Sequence, residues 1–306
     1  MIHLVTLNPA LDLTLQLEKP SKGKIGKLLE AKMEAGGKAL NIARFLKKWG
    51  IHPLTWLGTG GEDHPTHVLY RSLLKKEGLS IQFLGGVAPI RFNAVVESGK
   101  TRGKYNHPGF ELDLKSFGRL HRTIKKNDLL VLTGRLPQGM NPALYGSWIK
   151  AFNRKGVRTV VDTSGDALRE ALAAKPWFFK VNLFEFSEAF HLKLSNLKKV
   201  VPLVPGLIKS GLLHGAVTHG PEGVLAWNGS EIVFTKPPQD KIPHLVVGAG
   251  DGFLAGYLFS LQNRKSFIES VRFACATGAV VARTGITGFD KRLVGKIFRK
   301  IKVVKV

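Results

Sequence analysis

The run Gly248-Ala249-Gly250-Asp251-Gly252-Phe253 joins two things that chemistry on a phosphate or oxyanion needs, a carboxylate able to take a proton and a turn whose amide N–H groups face outward. Gly248 and Gly250 can take backbone angles closed to other residues. From Asp251 onward, Phe253, Leu254, Tyr257, Leu258 and Leu261 recur at helical spacing. The glycines and Ala249 therefore sit where unpaired N–H groups and the positive end of the helix dipole point outward, which makes an anion site. Beside it, Asp251 can serve as a helix N-cap, or as a general base whose neighbours stabilise the negative charge arriving during phosphoryl transfer. Two nucleotide fingerprints do not fit. The dinucleotide pattern requires glycine where Phe253 stands, and Ser98-Gly99-Lys100-Thr101 has Ala94 in place of the P-loop glycine, so it reads as a hairpin turn.

The elements that must position this turn are legible as an alternation. Strand-like runs at 2–7, 54–57, 129–133, 159–161, 178–181 and 215–218 alternate with helical patterns, which predicts an α/β fold with a mainly parallel central sheet flanked by helices. A helix is expected over 40–49, another from an Asn141 cap with Pro142 in its first turn, and two more over 266–283 and 290–302. Residues 11–34 and 90–105 break the alternation and read as short antiparallel strands, a small inserted β lid able to close over a ligand or to offer a homodimer contact. No linker or repeat divides residues 1–306, so a single domain with a lid is expected.

Composition bounds the function. With 306 residues, 44% hydrophobic content and 34 glycines, the chain has the makings of an ordinary globular core. The formal charge of +24 invites an anionic partner, but the cations are spread along the chain and no zinc-ligand spacing or RNP pattern accompanies them, so nucleic acid is not the expected partner. One cysteine, Cys275, excludes an intrachain disulfide and suits a reducing cytoplasm. The opening residues show no basic leader, and no apolar run is long enough to span a bilayer, so no membrane partner is expected.

Four separated segments, Thr6-Leu7-Asn8-Pro9-Ala10-Leu11-Asp12, Gly36-Gly37-Lys38-Ala39-Leu40-Asn41, Lys180-Val181-Asn182-Leu183-Phe184-Glu185 and Gly248-Ala249-Gly250-Asp251, together resemble the ribokinase-like (PfkB) carbohydrate kinases, in the same order along essentially the whole chain. The Asn-Pro-Ala opening and Arg91 look like the branch that phosphorylates sugar phosphates, the fructose-1-phosphate, tagatose-6-phosphate and fructose-6-phosphate kinases. The resemblance implies transfer of the ATP γ-phosphoryl group to a ketohexose phosphate, best fructose 1-phosphate giving fructose 1,6-bisphosphate. Asp251 would be the base, with N–H groups from Gly248, Ala249 and Gly250 onward holding the transferring group. Asp12, Gly37, Lys38 and Asn41 would line the sugar pocket, and Arg91 would bind the acceptor's phosphate with help from Lys24, Lys27 and Lys104.

On the nucleotide side the resemblance implies Lys180, Asn182 and Glu185, with Glu185 holding Mg²⁺ through water, and a loop of Thr218, Gly220 and Gly223. The segment 275–285 would border the adenine, with Cys275 a packing residue. Arg135 stands where the family carries a small hydroxyl residue, and it can strengthen phosphate binding or obstruct the pocket. Gly252 removes a hydroxyl beside the phosphates. These departures keep two other readings open: a kinase of an unphosphorylated sugar or nucleoside, and a catalytically weak sugar-phosphate sensor or basic nucleic-acid-binding protein on the same scaffold.

Overall fold

A computed structural model of the chain describes residues 1–18, 25–58, 64–85, 89–99, 101–113, 117–238, 248–286 and 288–306. Among these the strands are β1 (Ile2–Thr6), β2 (Ala10–Leu17), β3 (Leu28–Gly36), β4 (Leu54–Leu57), β5 (Ser80–Phe83), β6 (Arg91–Ser98), β7 (Thr101–Asn106), β8 (Leu129–Thr133), β9 (Arg158–Asp162), β10 (Phe178–Asn182), β11 (Gly215–Thr218), β12 (Val224–Trp227), β13 (Ile232–Thr235) and β14 (Val303–Lys305). The helices are α1 (Lys38–Lys48), α2 (Pro65–Lys75), α3 (Phe117–Thr123), α4 (Leu144–Arg154), α5 (Asp166–Ala173), α6 (Leu183–Ala189), α7 (Val204–Lys209), α8 (Ala249–Gln262), α9 (Phe267–Thr284) and α10 (Lys291–Lys300). None of them is long and apolar enough to cross a membrane.

The large sheet runs β14-β13-β12-β11-β10-β9-β8-β1-β4-β5. Its neighbours from β5 to β11 pair in parallel, and β12 to β14 add an antiparallel edge. Central parallel strands are covered on both faces, so they read as unbroken apolar runs. Every residue of β1 and β8 is buried. Alternate side chains serve opposite cores: Val5, Leu130 and Leu132 pack with Tyr145, Trp148 and Leu168, while Ile2, Leu4, Leu129 and Val131 pack with Phe45, Leu254 and Val280. Small residues set the closeness of α8 and α9. A Cβ on Gly256 would lie 2.6 Å from Thr277 Oγ1, and one on Gly252 would lie 2.6 Å from Val281 Cγ2.

The second sheet has the order β3-β2-β6-β7. Its hairpins are antiparallel, and Ser98 pairs with Thr101 across the expected turn, whose Lys100 lies outside the described residues. The central pair departs from expectation, because β2 and β6 run parallel. No tight turn joins them: the chain passes through β3, α1, β4, α2 and β5 in between, so both leave the main body in one direction. Leu11, Ala35, Leu40, Leu57, Tyr70 and Ile90 form a third cluster that ties the root of this sheet to α1 and α2. The helix expected from Asn141 begins instead at Leu144; Asn141 Oδ1 accepts from Ala143 N at 2.8 Å, so its side chain closes a turn ahead of the helix.

At the opposite end of β1 a buried network makes a pH prediction. Trp56 Nε1 donates to His3 Nδ1 at 3.3 Å, and His3 Nε2 lies 3.2 Å from Asp128 Oδ2. An indole can only donate, so Nδ1 must accept and Nε2 carries the proton. Burial, with a lesser contribution from the charged amino terminus, holds the His3 pKa below its ordinary value of 6.5 despite Asp128. The unfolded chain therefore binds the proton first, and stability is lost as pH falls below about 6.5. His214 is shifted in the same sense by burial. Melting of the wild type at about pH 7.5 and about pH 5.5 should show the loss, and His3→Gln, which offers one acceptor and one donor but cannot charge, should reduce it. An unchanged pH dependence in His3→Gln would place the proton elsewhere.

Candidate functional site

The carboxyl ends of β1, β8, β9, β10 and β11, the root of the four-stranded sheet and the N-terminus of α8 together wall one cleft of about 1830 Å³. Ligands of open parallel sheets sit at this end of the strands. Gly248 precedes α8 with φ of 93°, a left-handed conformation, and a Cβ there would also lie 2.6 Å from Ile286. Glycine is thus required for two separate reasons. The first helical bond runs from Gly252 N to Gly248 O at 2.8 Å, and no side chain caps α8, so the N–H groups of Ala249, Gly250 and Asp251 precede the hydrogen-bonded ladder. Asp251, on that first turn, is only 6% exposed and accepts from Asn41 Nδ2 at 2.8 Å. Burial raises its pKa, and the charge of Asp162 adds to this against the opposing pull of Lys38, Asn41 and Lys180.

Beside Asp251 stands an ion cluster. Lys38 Nζ donates to Asp162 Oδ1 at 2.9 Å, and Lys180 Nζ lies 3.3 Å from Asp162 Oδ2. Asp162 ends β9 and is fully buried. Burial alone would raise its pKa, but Lys180 and Lys38 outweigh it and hold the carboxyl below its ordinary value. Burial likewise opposes the Lys38 charge, and Asp162, Asp251 and Glu185 overcome it, holding that pKa above the usual lysine value. Lys180 reaches the turn itself, since a Cβ on Gly250 would lie 2.8 Å from its Nζ. Two ammonium groups are therefore fixed next to the free N–H groups, an arrangement that binds a polyanion.

Where the four-stranded sheet borders the cleft, Asp12 Oδ1 accepts from Asn93 Nδ2 at 2.7 Å, and the carboxylate packs on Gly36, where a Cβ would lie 2.0 Å from Oδ2. Burial raises the Asp12 pKa against Asn93 and Arg91. Arg91 donates through Nε and Nη2 to Asn8 O at 3.2 and 3.1 Å, and through Nη1 to Asn93 Oδ1 at 2.9 Å and His107 O at 2.7 Å. Most of its donors are thus engaged by the protein itself. Arg135, exposed in the cleft, donates through Nε to Ser164 Oγ at 2.9 Å. Burial, and to a lesser degree the charge of Arg135, holds the Arg91 pKa below its ordinary value against Asp12, so the two guanidiniums sense each other. Lys104 lines the same end, Lys27 does not, and Lys24 lies outside the described residues.

Further along the cleft, Asn182 and Glu185 form a reciprocal capping box on α6: Glu185 N donates to Asn182 Oδ1 at 2.8 Å and Asn182 N to Glu185 Oε2 at 2.9 Å. The Asn-x-x-Glu spacing thus has a local structural cause, and it leaves Oε1 of Glu185 available on the cleft wall. Among the described residues no cluster of three or more metal-ligating side chains exists. Such a donor set fits Mg²⁺, which keeps several waters and takes one or two carboxylates plus substrate phosphates. Thr218, Gly220 and Gly223 border the far end; Gly223 has φ of 109°, and a Cβ there would lie 2.2 Å from Thr235 O. Cys275 lines this end too, and burial pushes its thiol up to about 12, which makes it inert.

Apart from Lys24 and Lys27, each residue that the sequence nominates for the site, from Asp12 and Gly37 to Gly250 and Asp251, lines this one cleft. Gly252 does not line it; a side chain there would run into Val281, so the missing hydroxyl belongs to the α8–α9 contact. Sequence reasoning overlooked Asp162, whose only signal was a carboxylate at the end of a buried parallel strand.

Residues 5–291 match the sequence profile described as pfkB family carbohydrate kinase. The chain is 30% identical over 305 residues to 1-phosphofructokinase of Vibrio cholerae, covering 98% of this chain and 95% of that one. Phosphofructokinase-2 from Escherichia coli in complex with fructose-6-phosphate superposes with a TM-score of 0.86 at 26% identity, over 98% of each chain. The tetrameric inhibited form of the same enzyme gives 0.86 at 25% identity, again over 98% of each.

Proposed function

The chain belongs to the pfkB family of carbohydrate kinases, and from that premise we propose that this sugar-phosphate kinase, which uses ATP, takes fructose 1-phosphate as its acceptor and makes fructose 1,6-bisphosphate. One observation carries the reading: a single cleft holds guanidiniums at its lid end and a buried carboxylate beside free N–H groups at its centre. In this reading Asp251 accepts the proton of the acceptor hydroxyl, whose oxygen bonds to the γ-phosphorus as the bond to the leaving ADP oxygen breaks. Ala249, Gly250 and Asp251 donate their N–H groups to the transferring phosphoryl oxygens, and Lys38 and Lys180 offset their charge. Asp12 and Asn41 orient the sugar hydroxyls. Glu185 would hold Mg²⁺ through water, and the ion would neutralise charge on the nucleotide phosphates. A homodimer through the lid belongs to the same reading, because Leu28, Leu29, Phe92 and Tyr105 of that sheet are exposed.

The engaged fork of Arg91 favours a second reading, a kinase of an unphosphorylated sugar. ADP release across fructose 1-phosphate, fructose 6-phosphate, tagatose 6-phosphate and their unphosphorylated sugars separates the two. Fructose 1-phosphate should give the highest kcat/KM. Arg91→Ala and Arg135→Ala should each raise KM for the phosphosugar about tenfold or more, the worth of one charge-assisted phosphate contact. Preference for an unphosphorylated sugar, or an unchanged KM in both variants, would assign the site to the second reading.

A further inference from the structure

Asn41 bonds the base, and a primary amide can be turned either way about its last torsion. A carboxylate only accepts, so Asn41 must present Nδ2 to Asp251, and something must hold it in that sense. Arg44, one turn further along α1, does so: its Nη1 donates to Asn41 Oδ1 at 3.1 Å. A guanidinium only donates, so the oxygen end of the amide is committed to Arg44 and the nitrogen end to the base. Arg44 is itself fixed from two other elements. Its Nε and Nη2 grip the Glu77 carboxylate, each at 2.6 Å, just beyond α2, and Nη2 also donates to Ala35 O of the lid strand β3 at 2.5 Å. Neither Arg44 nor Glu77 lines the cleft.

From this chain of contacts we propose that Arg44 is a positioning residue, which fixes the Asn41 amide against Asp251 and ties the lid root to the orientation of the base. The proposal rests on the kinase reading of the site and extends it to two residues that no substrate touches. Without Arg44, Asn41 is free to turn Oδ1 toward the carboxylate. That orientation repels the ionised form, swings the base out of line and moves its titration upward. Lys38, Asp162 and Lys180 face the same carboxylate from α1, β9 and β10 and stay in place in every variant below.

The test is a double-mutant cycle on Arg44→Met and Asn41→Ala, read on the phosphosugar that the wild type turns over best. Arg44→Met alone should lower kcat about ten- to a hundredfold, with a smaller rise in the acceptor KM and little change in that of ATP, the cost of a misplaced reacting group. The acid limb of its pH profile should move to higher pH. In the Asn41→Ala background the same change should cost less than about twofold, because the pathway is already cut. Independent costs that multiply, or an unmoved acid limb in folded Arg44→Met, overturn the proposal. Glu77→Gln, which loosens the grip on Arg44 without touching Asn41, should shift the limb in the same direction by less, and an unshifted limb in that variant counts against the proposal where Arg44→Met does not fold. The side-chain amide signal of Asn41 in a ¹⁵N spectrum, assigned by its loss in Asn41→Ala, should move in Arg44→Met or Glu77→Gln, and a stationary signal overturns the role without reference to turnover. Wild-type protein that phosphorylates no sugar, with the amide signal moving as expected, fails the kinase reading alone.

Discussion

Asp251→Asn is expected to lower kcat about 10²- to 10⁴-fold, the usual worth of a positioned general base, which corresponds to about 2.7–5.4 kcal/mol of barrier. KM should change little, since an amide still accepts from Asn41 Nδ2 and the free N–H groups at the start of α8 are main-chain. The pH profile supplies the sharper signature. Burial raises the Asp251 pKa, so activity should fall on the acid side at a pH above the ordinary aspartate range, and that limb should vanish in the variant. Stability should move the other way. A carboxyl whose pKa is higher folded than unfolded carries a penalty at neutral pH, one that is absent below its unfolded pKa and grows as pH rises to the folded one. Removing the charge lifts the penalty, so Asp251→Asn should melt at or above the wild-type temperature at neutral pH. Wild-type kcat in the variant would reject Asp251 as the base, and a lower melting temperature would reject the account of its environment.

Much of this site was legible because its causes are local. Gly248 announces a left-handed turn that favours glycine, and the apolar spacing from Phe253 to Leu261 places that turn at the head of a helix; Gly250, expected to share the special backbone, lies instead in the first turn of α8 with an ordinary helical φ. Central strands such as β8 were equally plain, since burial on both faces leaves an unbroken apolar run. What was not legible depends on contacts between distant segments. Asp162 lies 124 residues from Lys38, and nothing near it in sequence says that two lysines will close on it. Arg44 and Glu77 look like surface charges until α2 brings them together. Gly252 read as a lost hydroxyl beside the phosphates, but the residue it answers to is Val281 on another helix. The parallel pairing of β2 with β6 was hidden for the same reason: a long excursion, rather than a turn, sets its direction.

Asp162→Ala should have the opposite character to Asp251→Asn. The carboxylate is fully buried and bonded by both Lys38 and Lys180, and Lys180 is almost as enclosed. Breaking a buried pair by deleting one partner leaves an uncompensated charge, which costs about 3–5 kcal/mol. The variant's urea midpoint at neutral pH should fall accordingly with an unchanged slope. Because Lys180 and Lys38 hold the Asp162 pKa below its ordinary value, the stability it provides is fully present above the unfolded pKa and is lost as pH falls through the lower folded one. The gap between wild type and variant should therefore narrow in acid. Asp162→Asn, which keeps the volume and one acceptor, should lose less. The same surroundings thus push the two neighbouring carboxyls' pKa values in opposite directions: one is held ionised and anchors the cations that the proposed reaction would set against the phosphates, and the other is kept easier to protonate. If Asp162→Ala proved as stable as the wild type while Asp251→Asn unfolded, the two residues would have to exchange roles, and the ion cluster could no longer be the scaffold on which the base is poised.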